Sequence, residues 1–178
     1  MMMTARSILI ANLMALFIST SAMAVPTHIT VRVKTKDAKF MGTGIGGALV
    51  TIKDAETGEL LAKGVTEGTS GNTNLIMKTP KVRGVPISDQ NAAKFEATLD
   101  IDEPRYVEIT AYGPLSQRQS ANEATATQWV VPGKHINAGD AWMIELSGLL
   151  VDVQSPPTPT HFRGVPQRVI IEAHVAMQ

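Results

Sequence analysis

Residues 47–77 read Gly-Ala-Leu-Val-Thr-Ile-Lys-Asp-Ala-Glu-Thr-Gly, then Glu-Leu-Leu-Ala-Lys-Gly-Val-Thr, then Glu-Gly-Thr-Ser-Gly-Asn-Thr-Asn-Leu-Ile-Met. Ala48, Val50 and Ile52 alternate with Leu49, Thr51 and Lys53, which sets the first three on one face of an extended segment. Asp54 to Gly58 follows with turn chemistry, because Asp and Thr side chains bond nearby backbone and Gly58 tolerates positive φ. The stretch predicts strand, turn, strand, turn, strand. It bears on architecture and is silent on activity.

Upstream, Ile29, Val31 and Val33 alternate with His28, Thr30, Arg32 and Lys34, predicting a half-buried strand over 27–35 with one solvated face. Gly42-Thr43-Gly44-Ile45-Gly46-Gly47 has the form of a Gly-x-Gly-x-x-Gly dinucleotide fingerprint. A phosphate cradle requires a helix to start there, with its amides facing the pyrophosphate. Strand periodicity on both sides excludes that, so the glycines are expected to form a mobile or tightly turning connection.

Residues 1–24 are expected to be a cleaved signal peptide: Arg6 supplies charge, 8–18 is apolar, and Ser21-Ala22-Met23-Ala24 has the small-residue pattern cut after Ala24. The apolar run is shorter than the roughly 18 to 20 residues that span a bilayer. Cleavage would leave about 154 residues, a single-domain length. It would also remove five methionines, leaving Met41, Met77, Met143 and Met177. Loss of Arg6 would leave 15 basic against 16 acidic residues. Near-neutrality without a basic stripe argues against nucleic-acid binding. The chain has no cysteine, which excludes disulfides, thiol catalysis and a lipobox anchor. The expected compartment is therefore periplasmic or secreted.

Downstream, residues 78–93 carry Pro80, Gly84 and Pro86 without sustained periodicity and predict a long loop. Phe95, Ala97, Leu99 and Ile101 form one face of the next strand. In Pro104-Arg105-Tyr106-Val107-Glu108-Ile109-Thr110-Ala111-Tyr112-Gly113, the set Val107, Ile109 and Ala111 is the better core face, leaving the tyrosines at a rim. Residues 115–125 predict a loop or short helix, and Gln128 to Val131 a strand. Pro132-Gly133 and Gly139-Asp140 mark turns. Strands are expected over 142–146 and 149–153, with Gly148 at a bend or bulge between them. The prolines of 154–167 predict an extended spacer, and 168–178 a terminal strand that completes the sandwich or pairs with a neighbouring subunit.

The pattern of 47–77 resembles the carboxypeptidase regulatory-like domains, within the transthyretin-like (prealbumin-like) β-sandwich group. Val50, Ile52, Asp54, Thr57 and Gly58 match its first strand and turn, Ala62 and Thr66 its second strand, and Gly71 its last turn. That turn is one residue longer than in the family, and Glu67 stands where an Asp is usual. Residues 104–113 resemble the family's Pro-x-Tyr strand. The resemblance implies a single Greek-key-type all-β sandwich of about seven to nine strands over 25–153, and it marks fold rather than chemistry.

The same fold group includes intradiol dioxygenases, whose iron sits between two tyrosines and two histidines. Tyr106, Tyr112, His135 and His161 are the matching residue types here. The family's His-x-His spacing is missing and the tyrosines stand six apart on one strand, so metal binding is not expected. No Tyr-Arg-Gly-Ser terminus is present to suggest hydroxyisourate hydrolysis, and no Gly-x-Ser-x-Gly elbow to suggest a serine hydrolase. No catalytic residue, metal or cofactor is assigned. Arg-Gly-Val-Pro occurs at both 83–86 and 163–166, which makes Arg83 and Arg163, with Arg118, the candidate binding-loop residues. The expectation is an exported binding, accessory or structural module that contacts another envelope protein or itself. The alternatives are a small periplasmic enzyme or metalloprotein with a loop-built site, and an assembly subunit that pairs through its C-terminal strand.

Overall fold

The structure, a computed structural model, describes residues 23–157, 160–164 and 166–177. The leader expected over 1–24 lies, apart from Met23 and Ala24, outside the described residues. The described chain forms nine strands: β1 (Val25–Thr35), β2 (Leu49–Asp54), β3 (Leu60–Val65), β4 (Phe95–Ile101), β5 (Arg105–Gly113), β6 (Asn122–Val130), β7 (Trp142–Leu146), β8 (Leu149–Ser155) and β9 (Glu172–Met177). They make a three-stranded sheet ordered β4-β1-β7, a four-stranded sheet ordered β3-β2-β5-β6, and a separate β8-β9 ribbon. Pairing is antiparallel except between β1 and β7. The all-β sandwich expected from the sequence is the observed class.

The alternating apolar sets meet between the two larger sheets. Ile29, Val31 and Val33 of β1 and Trp142, Ile144 and Leu146 of β7 pack in one core with Val50 and Ile52 of β2 and Val107, Ile109 and Ala111 of β5. Burying a side chain of this size contributes about 1.5–3 kcal/mol, so the two facing sheets are held chiefly by this layer. Thr66 pins one end of it. Its buried hydroxyl donates to the Met41 carbonyl at 2.7 Å and accepts from the Ala48 N–H at 2.9 Å.

The turn after β2 forms as its residues dictate. The Asp54 carboxylate accepts N–H bonds from Glu56 at 2.9 Å and Thr57 at 2.8 Å, and Gly58 takes φ of 75°. Arg105, entering β5, reaches back to Asp54 at 3.2 Å and to Glu59 at 3.4 Å. The Thr57 N–H and the Arg105 guanidinium together hold the Asp54 carboxyl down at about 2, while burial acts in the opposite sense. The hydrogen bond to Asp54 correspondingly raises Arg105.

Four expectations need correction. The third strand of 47–77 is instead a short π-helical turn, Asn74–Lys78. The Asn72 side-chain oxygen accepts from the N–H groups of Asn74 and Leu75 and starts the turn, a local bond that outcompetes a ladder. The glycine segment, by contrast, turns tightly as one of its expected forms, through a 3-10 turn, Thr43–Ile45, with Gly46 and Gly47 at φ of 79° and 68°. β6 begins at Asn122, inside the span expected as loop or short helix. Its inner positions there are Ala124 and Ala126, too weakly apolar to signal a strand until β5 supplies full-length pairing. The terminal strand starts at Glu172 rather than Arg168, because its partner β8 ends at Ser155 and Pro156 has no N–H to extend the ladder.

The fourth correction is to β1, whose second face is buried rather than solvated: Thr30, Arg32 and Lys34 are all inaccessible. Residues 36–41 and 67–93 lie over that face and build a second small core from Phe40, Ile76, Ala92 and Ala93, with Ile87 beside it. Arg32 donates to the carbonyls of Ala92 and, at 3.2 Å, Ala93, and its guanidinium lies 5.8 Å from the Phe40 ring centroid. Burial pushes the Arg32 guanidinium below the usual arginine range, and the charges of Asp140, Glu96 and Asp89 act against that. Asp140 fixes the same loop from the other side, accepting from the N–H groups of Ile87 at 3.0 Å and Ser88 at 2.8 Å. Lys34 is satisfied by the Thr35 carbonyl at 2.8 Å and Glu145 at 3.1 Å. Gly148 bends the chain where a Cβ would strike the Lys36 carbonyl.

Arg32→Met should lower stability by about 1.5–3 kcal/mol, the cost of losing hydrogen bonds to a charged donor, measured as a shift of the urea midpoint. Trypsin cleavage after Lys81 or Arg83 should accelerate with it. Asp54 supplies a pH test. Its carboxyl titrates lower in the folded chain than the ordinary 3.8, so its stabilisation is present above that value and disappears as pH falls through about 2. Asp54→Asn should therefore melt below the wild type at neutral pH, and thermal scans should show the gap closing between about pH 4 and pH 2.

Candidate interaction surface

The four residues considered for iron do not converge. Tyr106 and Tyr112 both lie on the outer face of β5, six residues apart, a separation of about 20 Å at the rise of an extended strand. Tyr106 is engaged locally, its hydroxyl 2.7 Å from the Thr127 hydroxyl and its ring 5.3 Å from that of Trp129. His135 lies in the β6–β7 connection, which docks beside β1 through a parallel bridge between Ile29 and Ile136. His161 is exposed in the segment between β8 and β9. Among the described residues, no group of three or more histidine, cysteine, aspartate or glutamate side chains is arranged to hold a metal ion.

His135 does have a histidine neighbour, His28, at 4.7 Å between ring centroids. His28 donates its backbone N–H to His135 Nδ1 at 3.1 Å. That bond occupies the Nδ1 lone pair of His135. The pair ties the β6–β7 connection to β1.

The arginines are also separate. Arg83 and Arg118 are exposed on different loops, and Arg163 lines a shallow hollow with Phe162, Pro166 and Val169. None of the ion pairs among the described residues uses them. Both Arg-Gly-Val-Pro copies place glycine at positive φ, 80° at Gly84 and 103° at Gly164, so they share turn chemistry rather than a common site.

What the fold does bring together is an apolar face on the β8-β9 ribbon. Leu149 pairs with Met177, Val151 with Val175 and Val153 with Ala173, and successive members of each strand alternate with Leu150, Asp152, Ala176 and His174 on the other face. On that second face Leu150 is buried and Asp152 and Ala176 are half-buried, so it turns toward the protein at the Leu150 end, while His174 is exposed. The first face is open: Leu149 is 60% exposed, Val175 57% and Met177 67%, with Ile171 beyond the strand at 71%. Single exposed apolar residues need no explanation, whereas a contiguous row on one sheet face marks an interaction surface. The sequence carried a signal for it in the strict alternation of Val169, Ile171, Ala173 and Val175; it was silent on whether that row would face a core.

Loop 115–121 holds the ribbon in place. The Gln119 amide accepts from the Val153 N–H at 2.8 Å and donates to the Val153 carbonyl at 3.1 Å. The Ser120 hydroxyl donates to the Val151 carbonyl at 2.6 Å. These side chains occupy the edge of β8 that β9 does not, capping it as a third strand would. No helix among the described residues is long and apolar enough to cross a membrane.

Gln119→Ala should loosen this edge with little effect elsewhere. Hydrogen exchange at the Val153 amide should rise about fivefold, the equivalent of one ordinary hydrogen bond, while amides of β2 and β5 keep their protection.

Comparison of the chain with family models, with curated proteins and with solved structures finds no match, so the fold and this surface carry the functional reading.

Proposed function

We propose that the chain is an exported, non-catalytic β-sandwich module that works by protein–protein contact, with the β8-β9 ribbon as its contact element. The apolar ribbon face carries this reading. A two-stranded ribbon is marginal in water by itself. This one presents Leu149, Val151, Val175 and Met177 to solvent, while on its other face Leu150 is buried, Asp152 is half-buried and His174 is exposed. A row of four exposed apolar side chains on one face is not the arrangement expected for a ribbon whose only environment is water. Export is supported by the leader pattern ending at Ala24 and by the absence of cysteine. The resemblance of 47–77 to carboxypeptidase regulatory-like domains fits an accessory role, since the matched residues Asp54, Thr57 and Gly58 build a turn and carry no reaction.

The test is chemical cross-linking in envelope extract with wild type and with Val151→Lys/Val175→Lys, two exposed positions where lysine is tolerated structurally. Both proteins should melt alike, and the cross-linked products of the wild type should vanish with the variant. A variant that retains every product would overturn the proposal.

A further inference from the structure

The outer edge of β9 is open, and its direction follows from what β8 does on its far side. Because the Val151 and Val153 backbone groups bond Gln119 and Ser120, they point away from β9. In an antiparallel pair the residues opposite them must point away as well, so Val175 and Ala173 turn their N–H and C=O groups to the outside. No backbone hydrogen bond among the described residues reaches them there. Just before β9, Val169, Ile170 and Ile171 continue the apolar run past the end of β8 with no strand beside them among the described residues, and Ile170 and Ile171 are largely exposed.

We propose, resting on the reading of the ribbon as a contact element, that β9 pairs antiparallel with β9 of a second copy of this chain, about a twofold axis at Ala173. The result is a continuous β8-β9-β9-β8 sheet. The sequence Val-Ile-Ile-Glu-Ala-His-Val-Ala-Met over 169–177 is self-complementary about its centre. Pairing Ala173 with Ala173 sets Ile171 against Val175, Val169 against Met177 and Ile170 against Ala176 of the second copy. It sets Glu172 opposite His174, twice by symmetry, and opposite charges across strands are favourable. In its own ribbon His174 faces Asp152, so the second copy's Glu172 gives it a carboxylate on each side. Moving the axis by one residue, to His174, still pairs outward groups, 173 with 175 and 171 with 177, but puts two histidines face to face. An axis at Ala173 lets the outward N–H and C=O groups of 171, 173 and 175 bond one another while pairing each histidine with a glutamate. This is an isologous contact, in which one patch meets itself and the assembly closes as a dimer.

The chain has no cysteine, so single cysteines report the register. In a hydrogen-bonded antiparallel pair the two Cα atoms lie about 5.5 Å apart, within reach of a disulfide. Residues 176 of the two copies would be about 20 Å apart along the strands. The full chain without its leader is measured by sedimentation and native mass from low to high micromolar, then oxidised as Ala173→Cys and as Ala176→Cys. The expected result is a concentration-dependent dimer and a covalent dimer from Ala173→Cys alone. Glu172→Lys should weaken association roughly tenfold, and Glu172→Lys/His174→Glu should restore it. Equal cross-linking at 173 and 176, or a dimer indifferent to the charge changes, would overturn the proposal. So would a monomer at every concentration. If that monomer still forms ribbon-dependent cross-links in envelope extract, the contact-module reading stands and only self-pairing falls; if it forms none, both fall.

Discussion

One guanidinium sets the shape of half this molecule. Arg32 projects from the outer face of β1, where strand periodicity predicts solvent, and is instead roofed by the long segment between β3 and β4. A buried charge is costly unless hydrogen-bonded; one terminal nitrogen of Arg32 donates to the carbonyls of Ala92 and Ala93, Asp140, Glu96 and Asp89 supply favourable charge nearby, and Nε has no hydrogen-bond partner among the described residues. Those carbonyls belong to a segment that has no strand to hold it. Arg32 and the Phe40, Ile76, Ala92 and Ala93 cluster give it a fixed place. Asp140, at the start of β7, binds the same segment through Ile87 and Ser88, so β1, the loop and β7 form one unit.

With that face closed, both sides of β1 from Thr30 to Lys34 are covered, one by the main core and the other by the loop, while Glu96, Thr98 and Asp100 of β4 and Met143 and Glu145 of β7 stay exposed on the outer side. The outer face of β5 and β6 is covered only by its own side chains, with Tyr106 against Trp129 and paired threonines along the strands. Such cross-strand pairs stabilise a sheet surface without requiring a partner. The β8-β9 ribbon differs. One of its edges is capped by Gln119 and Ser120 and Leu150 anchors its second face, yet its apolar face and outer edge have neither cap nor cover among the described residues.

Local chemistry was legible wherever the deciding bonds span few residues. Asp54 to Gly58 forms the turn its composition predicts, and Val107, Ile109 and Ala111 face the core as their alternation requires. Failures fall where distant partners decide. Ala124 and Ala126 gave too weak an apolar signal for a strand until β5 was placed beside them. Asn72 diverted Leu75, Ile76 and Met77 from an extended form into a helical turn through a short-range bond that alternation does not register. Gln119 and Ser120 looked like polar loop residues, and their role on β8 lies more than thirty residues away, at Val151 and Val153.

By itself the sequence determined the fold class, the two apolar sets that face each other across the sandwich, and the turns between neighbouring strands. These follow from period-two alternation and from side chains that bond their own backbone, both of which act within a few residues. Tertiary structure alone decided that Arg32 and Lys34 are buried, that Tyr106, Tyr112, His135 and His161 stand apart, and that the row from Ile171 to Met177 meets solvent. Alternation states which residues share a face; what that face meets depends on segments far away in the chain, and only their packing supplies the answer.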